Sequence, residues 1–357
     1  MPTIDADAHV VETEHTWEYM DAADARYRPS LVSPHGESGR QYWLVDGKIR
    51  GLARQVITAQ QFAALSVRAG RRMDTPQETR EMENIEARIH HMDELGIDIQ
   101  VLHPTIFIEL VADSPEADVP ICRSYNRWLA DIWEQGKGRL RWSCVPPLLD
   151  IPSALEEIRY SKEHGACAIF MRSIEGDRML QDPYFFPIYE EAQRLDLAIA
   201  GHIANSNTAN IDLVGQRNEF SAFWKFRLPT VGAFHSVVMT GLPERFPTLR
   251  FGFIEAAAGW LPYTLNDMRR RAAARGRALP DDIMRDYRLY VTCQTDDDVP
   301  YILQKAGGDN IVIGTDYGHR DQSTEVEALR TLRESGGITP EQYEKIVYHN
   351  PKALYGL

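Results

Sequence analysis

The first strand-like segment of the chain carries several ionisable residues. Residues 4–12 read IDADAHVVE. In an extended strand Asp5, Asp7 and His9 would alternate onto one face, with neighbouring side chains about 7 Å apart. Carboxylates and neutral imidazoles are ligands of zinc, iron and manganese, so this face can hold a metal ion or a substrate. Charges are also common on exposed edge strands. This segment alone therefore leaves both interpretations open.

The elements around this segment predict the fold. Eight short apolar segments have the composition of buried parallel strands. They span residues 4–10, 97–103, 140–146, 166–172, 197–203, 248–255, 289–295 and 310–316. Amphipathic stretches between them predict helices at residues 80–95, 122–136, 152–164 and 183–195. Eight strands that alternate with helices predict an α/β fold, a (β/α)8 TIM barrel that forms one domain over residues 1–357. A doubly wound open sheet is the alternative, but no glycine-rich dinucleotide fingerprint follows the first strand.

Two long segments do not fit this repeat. Residues 11–78 form an insertion after the first strand, and its Asp46-Gly47 pair is a hairpin signal. Residues 204–230 form a long loop after the fifth strand. Both would lie at the carboxyl-terminal end of the barrel strands, where long loops shape the substrate pocket.

Chemistry in such a barrel takes place at the carboxyl-terminal ends of the strands, and five of the predicted strands end in ionisable residues. These residues are Asp7 and His9 of the first strand, His103 of the second, His202 of the fifth, Glu255 of the sixth and Asp316 of the eighth. Their joint occurrence at matching ends indicates one shared site. We predict Asp7, His9, His202 and Asp316 as the primary metal ligands. A metal ion there can polarise a carboxylate or lower the pKa of a bound water.

The bulk composition excludes several classes of partner. The 357 residues are 43% hydrophobic and 25% charged, which is typical of a soluble globular protein. The net charge of -13 argues against non-specific binding to nucleic acid or to an anionic membrane. The four cysteines form no C-x-x-C pair, so free buried thiols are expected. No signal peptide or membrane-spanning run is found, and we expect a cytoplasmic protein with a small-molecule substrate.

Several motifs together resemble the amidohydrolase superfamily, within it the group of aminocarboxymuconate-semialdehyde decarboxylase and the resorcylate-type decarboxylases. The motifs are DADAHV at the start, DPYFFPIYEEAQRLDLAIAGH ending at His202, RFPTLRFGFIEAAAGWLP at 245–262, NIVIGTDYGHRD at 310–321 and NPKALYGL at the end. The resemblance covers nearly the whole chain. It places the family's metal ligands on Asp7, His9, His202 and Asp316, and it implies one divalent ion, zinc or manganese, and a homodimer.

Two positions depart from the pattern of this group. After the sixth strand the decarboxylases have an HGGG run whose histidine assists catalysis, whereas this chain has EAAA from Glu255. The second strand of similar sequences often ends in FPT, whereas here the letters are HPT from His103. These two residues are potential ligands of a second metal ion. Alternatively, His103 forms hydrogen bonds within its loop and Glu255 is a general base.

The leading functional hypothesis is a metal-dependent hydrolase or decarboxylase that acts on a small organic acid or amide. Glu255 is expected to be the general base. His319, after the eighth strand, is expected to be an acid or oxyanion partner, and His235 is a further candidate for contact with the substrate. The alternative is a dinuclear non-haem iron monooxygenase, since one such enzyme of terpenoid biosynthesis has this superfamily's fold. That alternative requires two iron ions, with His103 and Glu255 as ligands.

Overall fold

The computed structural model describes residues 2–33, 40–55, 57–215 and 222–357. Residues 34–39 and 56 of the predicted insertion lie outside this described part, as do residues 216–221 of the predicted loop.

The described residues form twelve β-strands, and eight of these are parallel and build the barrel. The twelve are β1 (Ile4–His9), β2 (Ser30–Val32), β3 (Arg40–Val45), β4 (Lys48–Gln55), β5 (Ile99–His103), β6 (Leu140–Cys144), β7 (Ala166–Glu175), β8 (Arg178–Met179), β9 (Ala198–Asn205), β10 (Phe251–Ile254), β11 (Leu289–Cys293) and β12 (Ile311–Ile313). The barrel strands pair in the order β1-β5-β6-β7-β9-β10-β11-β12. All eight predicted barrel strands are therefore present.

The seam between β12 and β1 is closed by the residues that follow β12. The His9 N–H donates to the Tyr317 carbonyl at 2.8 Å, and the Asp316 N–H donates to the Asp7 carbonyl at 2.8 Å. Gly314 permits this approach, because a Cβ at its position would lie 2.2 Å from the Asp7 Cβ. The result is a nearly closed (β/α)8 barrel in which the ends of β1 and β12 lie side by side.

Helices occupy the connections between the strands. The α-helices are α1 (Ala59–Ala69), α2 (Gln77–Arg80), α3 (Ile85–Leu95), α4 (Pro115–Gln135), α5 (Ile151–Glu163), α6 (Phe186–Arg194), α7 (Thr208–Gly215), α8 (Leu228–Met239), α9 (Leu242–Arg245), α10 (Leu261–Ala274), α11 (Ile283–Asp286), α12 (Val299–Ala306), α13 (Ala328–Glu334), α14 (Pro340–Glu344) and α15 (Asn350–Tyr355). Short 3-10 helices cover Glu14–Tyr19, Ala22–Tyr27, Ile106–Ile108 and Pro183–Phe185, and π-helical turns cover Phe223–Arg227 and Lys345–His349. Across the described residues, no helix has the length and apolar character that crossing a bilayer requires.

The four predicted helices are present, with corrected boundaries. The helix predicted at 80–95 begins later, as α3 at Ile85, because the Asn84 side chain accepts the Ala87 N–H at 2.9 Å and caps the helix there. Arg80 instead ends the separate short helix α2. The helix predicted at 122–136 begins earlier, at Pro115, because proline is favoured in the first helical turn. The helix predicted at 183–195 opens with a 3-10 turn before α6.

The insertion after β1 is a small antiparallel sheet with helices on either side. Strands β2, β3 and β4 pair in that order, and the predicted hairpin turn at Asp46-Gly47 joins β3 to β4. Both turn residues have positive φ, 50° and 71°, as tight hairpin turns require. The Gly51 N–H of β4 donates to the Leu110 carbonyl at 2.8 Å, which ties the small sheet to the loop after β5. The insertion therefore covers the carboxyl-terminal end of the barrel.

Apolar residues from strands and helices form the core. All four cysteines are buried and free, as expected. At the chain end, α15 packs against the strands, and its Tyr355 hydroxyl donates to the Ala6 carbonyl at 2.7 Å.

Candidate metal centre

Buried side chains from four strand ends converge at one point of the barrel. His9 Nε2 lies 3.4 Å from Asp7 Oδ1, 3.6 Å from Glu255 Oε2 and 3.4 Å from Asp316 Oδ1. His202 Nε2 lies 3.3 Å from the same Asp7 oxygen and 3.4 Å from Glu255 Oε2. Each of these five residues is at most 3% exposed. The structure thus brings the four predicted primary ligands together and adds Glu255 to them.

The atoms that face the centre are poorly satisfied by the protein. Among the described residues, His9 Nε2 and Glu255 Oε2 are buried without a hydrogen-bond partner. Burying such atoms without a partner costs about 1–3 kcal/mol each. Two imidazoles and three carboxylates are a donor set that suits a divalent ion such as zinc, manganese or iron. The residues present therefore fit a divalent metal.

Two of the carboxylates leave their strands in a strained backbone conformation. Glu255 has a φ of 68° and Asp316 a φ of 50°, both in the left-handed region. Hydrogen bonds hold these turns: the Glu255 N–H donates to Thr292 Oγ1 at 2.6 Å, and the Asp316 N–H donates to the Asp7 carbonyl. Strain of this kind persists where the surrounding structure enforces it, often at functional sites.

Hydrogen bonds from the next layer orient the ligand atoms. His9 Nδ1 lies 3.1 Å from the Pro104 carbonyl, and since a carbonyl only accepts, Nδ1 carries the proton. This leaves the lone pair of His9 Nε2 directed at the centre. The Thr324 hydroxyl donates to Asp316 Oδ2 at 2.6 Å and leaves Oδ1 for the centre.

The buried carboxylates repel one another, so a bound cation would stabilise their charged forms. Burial, together with the neighbouring carboxylates of Asp316 and Asp7, raises the pKa of Glu255 well above its ordinary value. Burial also raises the pKa of Asp316 to about 6. Burial lowers the pKa of His202 to about 4, which keeps its imidazole neutral at pH 7. A divalent ion would compensate the carboxylates and bind the neutral imidazole of His202.

His319, which the sequence suggested as an acid or oxyanion partner, lies in the cluster. Its Nδ1 lies 2.8 Å from Asp316 Oδ1, and its ring stacks on His9 with centroids 3.8 Å apart. On the other side, Nε2 lies 2.8 Å from Thr105 Oγ1. His9, Glu255, Asp316 and His319 can also form a four-donor group, so His319 stands next to any ion bound here.

His103 lies beside the cluster and outside both groups of donor atoms found among the described residues. Its Nδ1 lies 3.0 Å from Ser143 Oγ, and its ring centroid is 5.1 Å from that of His202. Burial lowers the pKa of His103 to about 3. Both nitrogens of His103 thus face protein atoms, Ser143 Oγ and the Ala6 carbonyl. This geometry favours the alternative in which His103 forms hydrogen bonds over the one in which it is a metal ligand.

His235 is not brought to the cluster. It lies on α8, with Nε2 3.6 Å from Asp267 Oδ2 of α10, and its side chain is 32% exposed. The helix turns this residue toward its neighbour helix in the outer layer of the barrel. Its sequence position before β10 could not reveal this, because the direction of a helical side chain depends on how the helix packs.

Sequence reasoning missed how three residues support the site. Asp5 was expected on one face with Asp7 and His9, but it accepts hydrogen bonds from the Thr315 N–H and hydroxyl, at 2.9 and 2.6 Å. It therefore joins β1 to the end of β12. Thr105 and Thr324, which contact His319 and Asp316, carried no sequence signal, since a lone threonine in a loop has many uses.

A cavity of about 400 Å³ opens at the histidine–carboxylate cluster. Glu255 and His319 are the cluster residues that line it. Its walls combine the insertion with the loops after β5, β9 and β12. Wall residues include Trp43, Leu52, Arg54, Phe62, Arg80, Ile106, Ile108, Phe223, Phe226, Arg227 and Arg320. Both long segments singled out in the sequence thus shape the pocket.

The chain combines a parallel barrel with a buried histidine–carboxylate cluster at the carboxyl-terminal ends of the strands. This combination is typical of metal-dependent barrel enzymes. More narrowly, the chain belongs to the amidohydrolase family, whose family model matches residues 4–357.

Known relatives agree with this assignment. The 2-amino-3-carboxymuconate-6-semialdehyde decarboxylase of Dictyostelium discoideum is 24% identical over 244 residues, which are 65% of this chain and 66% of the relative. The solved amidohydrolase from Mycobacterium avium subsp. paratuberculosis is 18% identical, with a TM-score of 0.81, and the match covers 100% of this chain and 98% of that one. The 5-carboxyvanillate decarboxylase of Novosphingobium aromaticivorans, solved with manganese and a nitrobenzoic acid, is 19% identical, with a TM-score of 0.70 and coverage of 100% and 96%. These two structures share the fold.

Proposed function

We propose that this protein is a metal-dependent decarboxylase that removes CO2 from an organic acid without oxidation. One zinc or manganese ion would be held by Asp7, His9, His202 and Asp316. The observation that carries the proposal is a pair of overlapping donor groups, one with Asp7, His9, His202 and Glu255 and one with His9, Glu255, Asp316 and His319, at a cavity that Glu255 and His319 line. The decarboxylase relative from Dictyostelium supports the choice of reaction.

The ion would supply Lewis-acid polarisation of a substrate oxygen. The protein's own residues then handle the proton. When the bond to the carboxyl carbon breaks, its electron pair stays on the substrate carbon and CO2 leaves. Glu255 lines the cavity and delivers a proton to that carbon. His319 also lines the cavity, and because Thr105 and Asp316 hold both of its ring nitrogens, it would act on the substrate's polar group through the positive charge of its imidazolium.

Hydrolysis of an amide is the second candidate, and one observation favours it. Glu255 stands where the decarboxylases of the resembling group have a histidine, and its Oε2 lies 3.4–3.6 Å from the two ligand imidazoles. A carboxylate in that place can take a proton from an attacking water. The products separate the two reactions, because decarboxylation releases CO2 and hydrolysis releases an acid and an amine.

The test combines elemental analysis with a product assay on the purified protein. We expect one zinc or manganese ion per chain and metal-dependent release of CO2 from members of a panel of aromatic and unsaturated acids. Glu255→Gln should lower this rate by about 10²–10⁴-fold. His235→Asn is the matched control, because it removes an ionisable side chain outside the cavity and should leave the rate unchanged.

Other outcomes would contradict the proposal. Two irons per chain, with absorption in the near ultraviolet, would favour the dinuclear oxygenase. Amide cleavage without CO2 release would favour the hydrolase. We also propose a homodimer, which light scattering of the purified protein can test.

A further inference from the structure

The walls of the cavity are largely apolar. Leu52 and Phe62 come from the insertion, Ile106 from the loop after β5 and Phe226 from the π-helical turn. The volume of about 400 Å³ lies within the range of roughly 300–1,000 Å³ in which pockets bind drug-sized ligands. A single-ring acid would leave much of this apolar surface uncovered.

Two arginines that line the cavity have only uncharged hydrogen-bond partners among the residues that the structure describes. Arg80 is 9% exposed, and its Nη1 donates to the Thr75 carbonyl at 2.7 Å. Arg227 Nη2 lies 3.3 Å from Gln294 Oε1 and 3.3 Å from Ser323 Oγ. Within the described part of the chain, no carboxylate oxygen lies within 4.0 Å of either guanidinium, although such a partner is usual for a buried charge.

The acidic residues that line the cavity are Glu12, Glu81, Glu255 and Asp321, and each has partners other than Arg80 and Arg227. Asp321 Oδ1 accepts the Ser323 N–H at 2.7 Å. Both oxygens of Glu12 accept backbone N–H groups, those of Thr105 and Ile106, at 3.0 Å each. Glu81 pairs with Arg54. Arg80 and Arg227 therefore carry their positive charges at the cavity without a carboxylate partner among the described residues, while Glu255 belongs to the histidine–carboxylate cluster.

We infer that the substrate is an organic acid with an apolar body larger than one aromatic ring and with a second anionic group, remote from the reacting end, that Arg80 and Arg227 bind. The apolar body would lie against Leu52 and Phe62. This rests on the proposed function only in placing the reacting end at Glu255. Charge-assisted hydrogen bonds from a guanidinium to a carboxylate are strong and directional, so this group would also fix the substrate's orientation.

The test measures binding to the metal-loaded protein by isothermal titration calorimetry. The probes are benzoate, naphthalene-2-carboxylate and naphthalene-2,6-dicarboxylate. The second ring should lower Kd at least fivefold, because it covers apolar wall, and the second carboxylate should lower it at least fivefold again.

Three variants assign these two gains. Arg227→Gln should abolish the gain from the second carboxylate and keep the gain from the second ring. Leu52→Trp should fill the cavity and abolish the gain from the second ring, while benzoate still binds. Arg275→Gln makes the same charge change on the exposed end of α10 and should change neither gain.

Equal affinities for the three acids, or gains that survive both cavity variants, would overturn the inference. CO2 release measured on the same samples distinguishes it from the proposed function. If both gains appear but no acid loses CO2, the substrate class stands and the decarboxylase proposal fails. If benzoate-sized acids alone bind and lose CO2, the proposed function stands and the inference fails.

Discussion

Replacing Gly314 with alanine should strain the barrel seam and weaken the metal site together. The new Cβ would lie 2.2 Å from Asp7 Cβ, 2.7 Å from Asp7 N and 2.8 Å from Asp7 Cα. Two of these atoms belong to the backbone of β1, so a side-chain rotation cannot relieve the contact. Overpacking of this kind costs about 1–3 kcal/mol. At about 2 °C for each kcal/mol in a large domain, Tm should fall by about 2–6 °C.

The same contact should displace a metal ligand. Asp7 Oδ1 lies 3.4 Å from His9 Nε2 and 3.3 Å from His202 Nε2, so moving β1 changes both separations. We expect metal affinity to fall about 10–100-fold, as when residues that orient a ligand are removed. Competition with a chelator of known affinity measures this, and thermal melts measure the stability.

Gly232→Ala is the matched control. This glycine lies within α8, and no described atom lies within 4 Å of the position its Cβ would take. Alanine in a helix interior should stabilise the protein by about 0.5–1 kcal/mol and leave metal binding unchanged. A Gly314→Ala protein with wild-type Tm and wild-type metal affinity would refute the view that the close approach of β12 and β1 sets the ligand geometry.

Three further variants test the support of the site. Thr324→Val removes the hydroxyl that donates to Asp316 Oδ2 and should weaken metal binding about tenfold, measured by chelator competition. Burial lowers the pKa of His103 from its ordinary 6.5 to about 3. The imidazole therefore binds a proton more readily in the unfolded chain than in the folded one, and the free energy of unfolding decreases as the pH falls below 6.5. Between pH 6.5 and 5.5, His103→Gln should therefore lose about 1 kcal/mol less stability than wild type in urea unfolding, and equal losses would contradict the buried neutral imidazole. Arg88→Met removes a fully buried side chain that donates to Gln100 Oε1 at 2.7 Å and should cost about 2–4 kcal/mol, with or without metal.

The strands and the approximate helices could be predicted from sequence because their signals are local. The apolar runs that became β9 and β12 stand out by composition, and Gly96 marks the end of α3 with its left-handed conformation. The break between α2 and α3 was missed, because Asn84 starts a new helix through one side-chain hydrogen bond within an otherwise helical pattern.

The part of the candidate site that could be predicted from sequence is the set of donors at strand ends. The five donors lie at or near the carboxyl-terminal ends of barrel strands: Asp7, His9, His202, Glu255 and Asp316. A closed parallel barrel brings these ends together independently of its loops. The sequence by itself therefore determined which donors could meet.

Only the tertiary structure decided how each donor is used. His103 and His202 both lie on barrel strands, but strand register and side-chain direction turn one toward Ser143 and the other toward the centre. Likewise, Arg80 and Arg227 are far apart in the chain, and they share one cavity because α2, directly after the insertion, and the loop after β9 lie at the same end of the barrel. Such placement depends on packing between distant segments, which no local pattern of residues encodes.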